Sequence, residues 1–297
     1  MRQTYFGTKG SDVLSISYVN NGLVDLGNGA DVFYGAQLNG GDIYMGAGSD
    51  LASLFGTTDT FVYGGEGVDR FRVEGGIYNG VIDTQGPSLI QFINTDRGLI
   101  VTGDDNDVVQ VTGGTGDRIY TNGGDDQITI TNPVGNMNID AGAGDDTIVL
   151  NISSALGLTE KGMEFAGGLI DLGAIRGGDG ANSFQFNFWE SWADGSSFAT
   201  LAKLSLPDFD LSKGDTLFLG GTFAGQIIVS GSDIFADSFG PYGQPMRLMI
   251  TGPGAQLSEG VRSAVTFAYD HRPQLYGYYE NSGGGGGGGE GGSGTYG

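Results

Sequence analysis

The residues best equipped for chemistry in this chain are aspartates, and they recur. Asp31, Asp50, Asp69 and Asp146 each close a Gly-x-Gly-x-Asp string (GNGAD, GAGSD, GEGVD, GAGDD). Looser copies end at Asp12 (TKGSD), Asp107 (GDDND) and Asp126 (NGGDD). The spacing is 19 residues from Asp12 through Asp31 and Asp50 to Asp69, 19 from Asp107 to Asp126, and 20 from there to Asp146. Asp69 and Asp107 are 38 residues apart, two periods, with Ser88 of TQGPS in the skipped place. A last copy, GDGAN, ends at Asn182, 36 residues after Asp146, across a segment that offers no anchor.

If each period is one coil of a stack, equivalent carboxylates lie about 5 Å apart, because neighbouring strands are spaced by about 4.8 Å. At an effective dielectric near 20 each adjacent pair then repels by roughly 3 kcal/mol. A file of this kind calls for a neutralising cation, and hard oxygen donors favour Ca²⁺. The plainer role for the same residues is turn capping by local hydrogen bonds. Other chemistries are poorly served. The chain has no Cys, which excludes disulfides and thiolate sites, and its single His is His271. No GxSxG elbow or P-loop occurs, and the repeat itself accounts for the paired carboxylates, so no enzyme is expected.

The elements that must position these aspartates are short strands. Two and four residues after the anchors stand apolar pairs such as Leu14/Ile16, Phe71/Val73, Ile90/Phe92, Val109/Val111, Ile128/Ile130, Ile148/Leu150 and Phe184/Phe186. The residue between them is mostly polar, the period-2 signature of a strand with one buried face. Seven residues before the anchors runs a second apolar column: Tyr5, Val24, Ile43, Val62, Val81, Ile100, Ile119, Ile139 and Ile175. One repeat therefore holds two strands and two turns, and it buries its apolar face only by stacking on its neighbours. The expected fold is all-β: a right-handed parallel β-roll or β-solenoid of eight to ten coils over residues 1–190. Gly makes up 59 of 297 residues, which opposes helix and suits tight turns.

At these motifs the sequence resembles the RTX, or nonapeptide-repeat, β-roll family, whose motif reads GGxGxDxUx. The resemblance implies Ca²⁺ held between stacked turns by glycine carbonyls and aspartate carboxylates. The matching positions are Asp12, Asp31, Asp50, Asp69, Asp107, Asp126 and Asp146, with Gly27, Gly29, Gly46, Gly48, Gly65, Gly67, Gly142 and Gly144. Gly103, Asp105 and Gly124 complete the implied metal set in the looser copies. The family usually carries two motifs per coil, one on each edge, whereas here one strong motif recurs. The second turn is irregular, with Asp42 (LNGGD) and Asp117 (GGTGD) as partial exceptions, so calcium is expected along one edge.

After residue 190 the period fails. SSFATLAKLSL (196–206) reads as a short helix, and QIIVSG (226–231), RLMITG (247–252) and SAVTFAY (263–269) read as strands of a β-rich cap over 191–280. LPDFDLSKGDTLFL (206–219) is similar to the segment that closes the roll in many RTX proteins, or else is a hairpin with a polar turn at Ser212–Asp215. Residues 281–297, with seven consecutive Gly, read as a flexible tail or an assembly arm, with Tyr276, Tyr278, Tyr279 and Tyr296 as the contacts of such an arm. The net charge of −22 opposes nucleic acid and anionic membranes, and no apolar run is long enough to span a bilayer.

The N-terminal stretch lacks the apolar run of a cleaved signal peptide. The resemblance implies export by type I secretion through an uncleaved C-terminal signal, although this tail lacks the few apolar residues that usually end such proteins. Together these features point to a calcium-binding extracellular structural protein that assembles with copies of itself into a surface layer, matrix or filament. Two other roles fit the same pattern. One is an adhesin or glycan-binding module using Trp189, Trp192 and the C-terminal tyrosines; the other is a virion decoration or fibre protein. Ice binding is disfavoured by the irregular outward column Ser15, Tyr34, Ser53, Arg72, Gln91, Gln110, Thr129, Val149 and Gln185.

Overall fold

Alternating side chains bury one face of each strand, and the fold repeats that solution coil after coil. A computed structural model describes residues 3–133, 135–153, 169–189, 201–221, 227–230, 233–239, 245–251 and 265–268. The chain forms a parallel β-solenoid with about eight regular coils of about 19 residues. Each coil contributes a strand to two hydrogen-bonded ladders, called here the first and second faces. On the first face Tyr5, Val24, Ile43 and Val62 pair in series. On the second face Leu14, Phe33, Ala52, Phe71, Ile90, Val109, Ile128, Ile148 and Phe184 do the same. Between the faces lies one continuous core of Ile, Val, Leu and Phe, including fully buried Phe33, Phe71, Phe92, Phe184 and Phe186. Each such side chain contributes roughly 1.5–3 kcal/mol by leaving water.

The first face departs from the predicted column at one place. Val62 pairs with Ile82, and Ile82 with Ile100; Ile82 is fully buried and Val81 is only half-buried. A bulge adds one residue between Glu74 and Ile77, opposite Phe55 to Thr57. The turn from Asp83 to Ser88 is one residue shorter than its neighbour from Tyr63 to Asp69. The two changes cancel, so later coils return to register. A slip left uncorrected would turn every buried side chain outward.

The 36 residues from Asp146 to Asn182 make one coil rather than two. Ile148 pairs directly with Phe184 and Ile139 with Ile175. The extra length leaves the ladder between Ser153 and Leu169, and residues 154–168 lie outside those described.

Both ladders continue past residue 190. Leu201–Ser205 is a strand, not the expected helix, and it pairs in parallel with residues 169–174 on one side and 247–251 on the other. Leu204 and Leu206 are buried at period 2, and ladder partners on both sides override the helix propensity of this stretch. Residues 196–200 lie outside the description. Thr216–Gly221 joins the second face, between Ser183–Trp189 and Val265–Ala268. It does not form a hairpin with Leu201–Ser205, because the two strands belong to different faces.

The predicted strand runs near 226, 247 and 263 are strands at Ile227–Ser230, Pro245–Thr251 and Val265–Ala268. A further strand, Asp233–Phe239, joins the first two into an antiparallel meander. His271, Trp192 and the Gly-rich tail lie outside the described residues.

Candidate metal-binding edge

Every anchor turn links the first face to the second, so stacking places the anchors in one column along an edge. Their carboxylates point inward and reach to the preceding coil. The Asp31 N–H donates to Asp50 Oδ1 at 2.7 Å, and the Asp50 N–H to Asp69 Oδ1 at 3.0 Å. The Ser88, Asp107 and Asp126 N–H groups donate to Asp107, Asp126 and Asp146 Oδ1 at 2.6, 2.8 and 2.9 Å. The Asp12 N–H gives to Asp31 Oδ1 at 2.7 Å. At the degenerate turn the Ser88 hydroxyl is spent on the Gly86 carbonyl, and the Asp69 N–H turns instead to the Pro87 carbonyl. Three further aspartate-edge residues knit in the opposite direction: Asn106, Asp125 and Asp145 accept from the N–H of Asp125, Asp145 and Ala181 in the next coil.

Only one oxygen of each anchor is used in this way. Oδ2 of Asp31, Asp50, Asp69, Asp107, Asp126 and Asp146 is buried without a hydrogen-bond partner. Asp12, half-buried at the end of the file, differs: its Oδ2 accepts from the Thr8 N–H and hydroxyl. Burial pushes the carboxyls of Asp69, Asp107 and Asp146 up to about 6 and that of Asp126 to about 7. At Asp126 the Asp107 N–H opposes the rise, and the Asp146 and Asp107 charges add to it. Asp50 is raised by burial as well. An oxygen that is buried, charged and unpaired costs several kcal/mol in general, so each position calls for a proton or a cation.

Oδ2 leans over the first residue of its own turn both where it is orphaned and where it is paired. A Cβ at Gly64 would stand 2.6 Å from the orphaned Asp69 Oδ2, and one at Gly7 2.8 Å from the paired Asp12 Oδ2. In other coils this place is filled by buried Leu26, Met45, Thr102, Thr121 or Ala141, so the surroundings of Oδ2 vary along the file. The inner glycines let the turns stack closely. Gly29, Gly48, Gly67 and Gly144 all have positive φ, and a Cβ at Gly48 would overlap the carbonyl oxygen of Gly29. Gly27, Gly46, Gly65, Gly124 and Gly142 share the left-handed conformation. Gly103 does not, although a Cβ there would strike the Gln85 carbonyl. Asp105 is exposed and stays outside the file, where its charge raises the pKa of Asp107.

The donors at this edge are carboxylate and carbonyl oxygens, the kind a hard divalent cation takes. Several turn carbonyls are already engaged, since Gly27, Gly65 and Gly142 accept from Ala47, Gln85 and Asp179. Among the described residues no three acidic, His or Cys side chains converge. A cation at a turn would therefore draw on the orphaned Oδ2 atoms of adjacent coils and on carbonyls still free. In kind, the residues fit.

The file runs beyond Asn182, the last of the spaced copies, to Asp215. The Asp146 N–H donates to Asn182 Oδ1 at 3.0 Å, and the Asn182 N–H to Asp215 Oδ1 at 2.8 Å. Asp215 is thus an anchor, legible in hindsight from Gly214-Asp215 followed by alternating Leu217 and Leu219. Its turn carries a short 3-10 helix, Leu211–Lys213, capped by Asp210. Asp208 accepts from the Gly178 N–H at 2.8 Å, and Lys213 bridges to Asp179 at 3.0 Å. Phe209 packs against Phe184, so this segment lies on the preceding turn.

The opposite edge is regular in backbone though not in residue type. Gln37, Gly56, Gly75, Asn94, Gly113 and Asn132 form one left-handed column, and Asn21, Gly40, Asp59, Asn79, Arg97, Gly116 and Asn136 a second. Asn and Gly at these spacings were the available signal. Asp117, fully buried here, has both oxygens satisfied, by the Gly98 N–H at 2.7 Å and the Thr95 hydroxyl at 2.7 Å. It is a structural brace.

Fold and edge together define a parallel β-solenoid with a file of buried aspartates. No protein-family model matches the chain, and no curated protein or solved structure shows a similarity to it.

Proposed function

We propose that the protein is a non-enzymatic structural rod whose aspartate edge takes up Ca²⁺, acting outside the cell in self-assembled material. The observation that carries this reading is the row of six buried Oδ2 atoms without partners. Calcium entering there would neutralise the mutual repulsion of the carboxylates and cross-link neighbouring turns. Extracellular calcium would supply the ion, so rigidity would follow export from a low-calcium cytosol. One further feature supports a structural role: the described residues are almost wholly ladder and turn.

Sedimentation velocity of the full-length chain in about 5 mM CaCl₂ and in EDTA tests the proposal. Extended or expanded monomers in EDTA that compact and then assemble in calcium support it. Compact monomers with the same behaviour in both buffers reject it and leave the file as turn chemistry alone.

A further inference from the structure

On the opposite edge, within the first coils, the surface sinks into an open groove of about 800 Å³. Its floor is Gly40–Gly41, where two successive residues lack side chains and both hold positive φ. The pairing Gly22↔Gly41↔Thr60 places Asn20 and Asn21 in the coil before the floor and Asp59 and Phe61 in the coil after it. The walls thus stand two coil spacings apart, about 9.6 Å between backbones. Tyr18 also lines the groove, and Tyr18 and Phe61 both remain exposed to solvent.

Exposed rings facing a trough lined by planar amides and carboxylates form a specific chemical environment. Rings present flat apolar faces to C–H surfaces, while amides and carboxylates bond to pairs of adjacent hydroxyls. Among the described residues that line the groove there is no Lys or Arg, while Asp42 and Asp59 both contribute carboxylates, so these residues disfavour an anionic ligand. We infer that this groove is a subsite for a neutral saccharide chain, one ring wide. It is separate from the aspartate edge and does not depend on calcium binding there. Cationic ligands are the competing chemistry, since the carboxylates and rings would attract them too.

The test is calorimetric titration of the full-length chain, in calcium-containing buffer, with cellotriose, chitotriose, mannotriose and maltotriose. At least one is expected to bind with a Kd of roughly millimolar or tighter. Tyr18→Ala and Phe61→Ala should each weaken that binding roughly tenfold with the melting temperature unchanged. Asp59→Asn keeps the shape of the hydrogen-bonding group and should retain saccharide binding within about threefold. Failure of all four sugars to bind overturns the inference, as does binding that ignores both aromatic substitutions. So does an oligo-lysine peptide that occupies the groove in place of the sugars and is lost in Asp59→Asn.

Discussion

Asn182 occupies a rung of the aspartate file and does the same structural work as its neighbours, accepting the Asp146 N–H through Oδ1. It separates the two tasks an anchor can have. Oδ1 joins one coil to the next, and any residue with a carbonyl-like oxygen at that place serves. Oδ2 carries the charge that has no partner. Asp126, whose carboxyl is raised furthest, is the sharpest place to divide them. Asp126→Asn should keep the inter-coil bond and leave the calcium-free protein as stable as the parent or more so, while reducing bound calcium. Asp126→Ala strips the buried Asp107 N–H of its acceptor and should cost about 1–3 kcal/mol. Urea unfolding in EDTA, with calcium stoichiometry by calorimetry, reads both outcomes.

At the scale of strands and turns, the coil is held by two geometric requirements. Turns must stack without side chains between them, and the two faces must stay in register. Gly48→Ala puts a Cβ into the Gly29 carbonyl at a left-handed φ and should destabilise by at least about 2 kcal/mol. Gly10→Ala, with nothing within 4 Å of the added carbon, should stay within about 0.5 kcal/mol. Register can be tested the same way at the irregular coil. Ile82→Ala should cost about 2–4 kcal/mol, and Val81→Ala under about 1 kcal/mol, because only Ile82 fills the core. The reverse order, measured by urea unfolding, would restore the uniform column that strict counting from the anchors predicts.

For the whole molecule, the raised carboxyls add up to a pH dependence. Asp69, Asp107, Asp126 and Asp146 have folded-state pKa values of about 6 to 7, above the unfolded value near 3.8. Between those limits the folded chain binds more protons than the unfolded one, so stability falls as pH rises. In EDTA the melting temperature should therefore be higher at pH 5 than at pH 8. Saturating calcium should remove that difference, because a bound cation replaces the proton. A melting temperature in EDTA that rises from pH 5 to pH 8 would mean the file is ionised and well solvated throughout.

The repeat was legible because its requirements are local. A tight turn needs its glycines, and a half-buried strand alternates, so the period, the two faces and most of the aspartate edge stand in the order of residues. Asp31, Asp50, Asp69, Asp107, Asp126 and Asp146 occupy the column their spacing predicts. What the sequence could not decide was which residue meets which across coils. Asp146 joins Asn182 over 36 residues and Asn182 joins Asp215 over 33, because loop closure costs little more for a long excursion than for a short one. The ladder accepts any excursion that returns in register. The shift to Ile82, the strand at Leu201–Ser205 and the anchor role of Asp215 were likewise settled by hydrogen-bond partners in neighbouring coils. Those partners exist only once the stack is assembled.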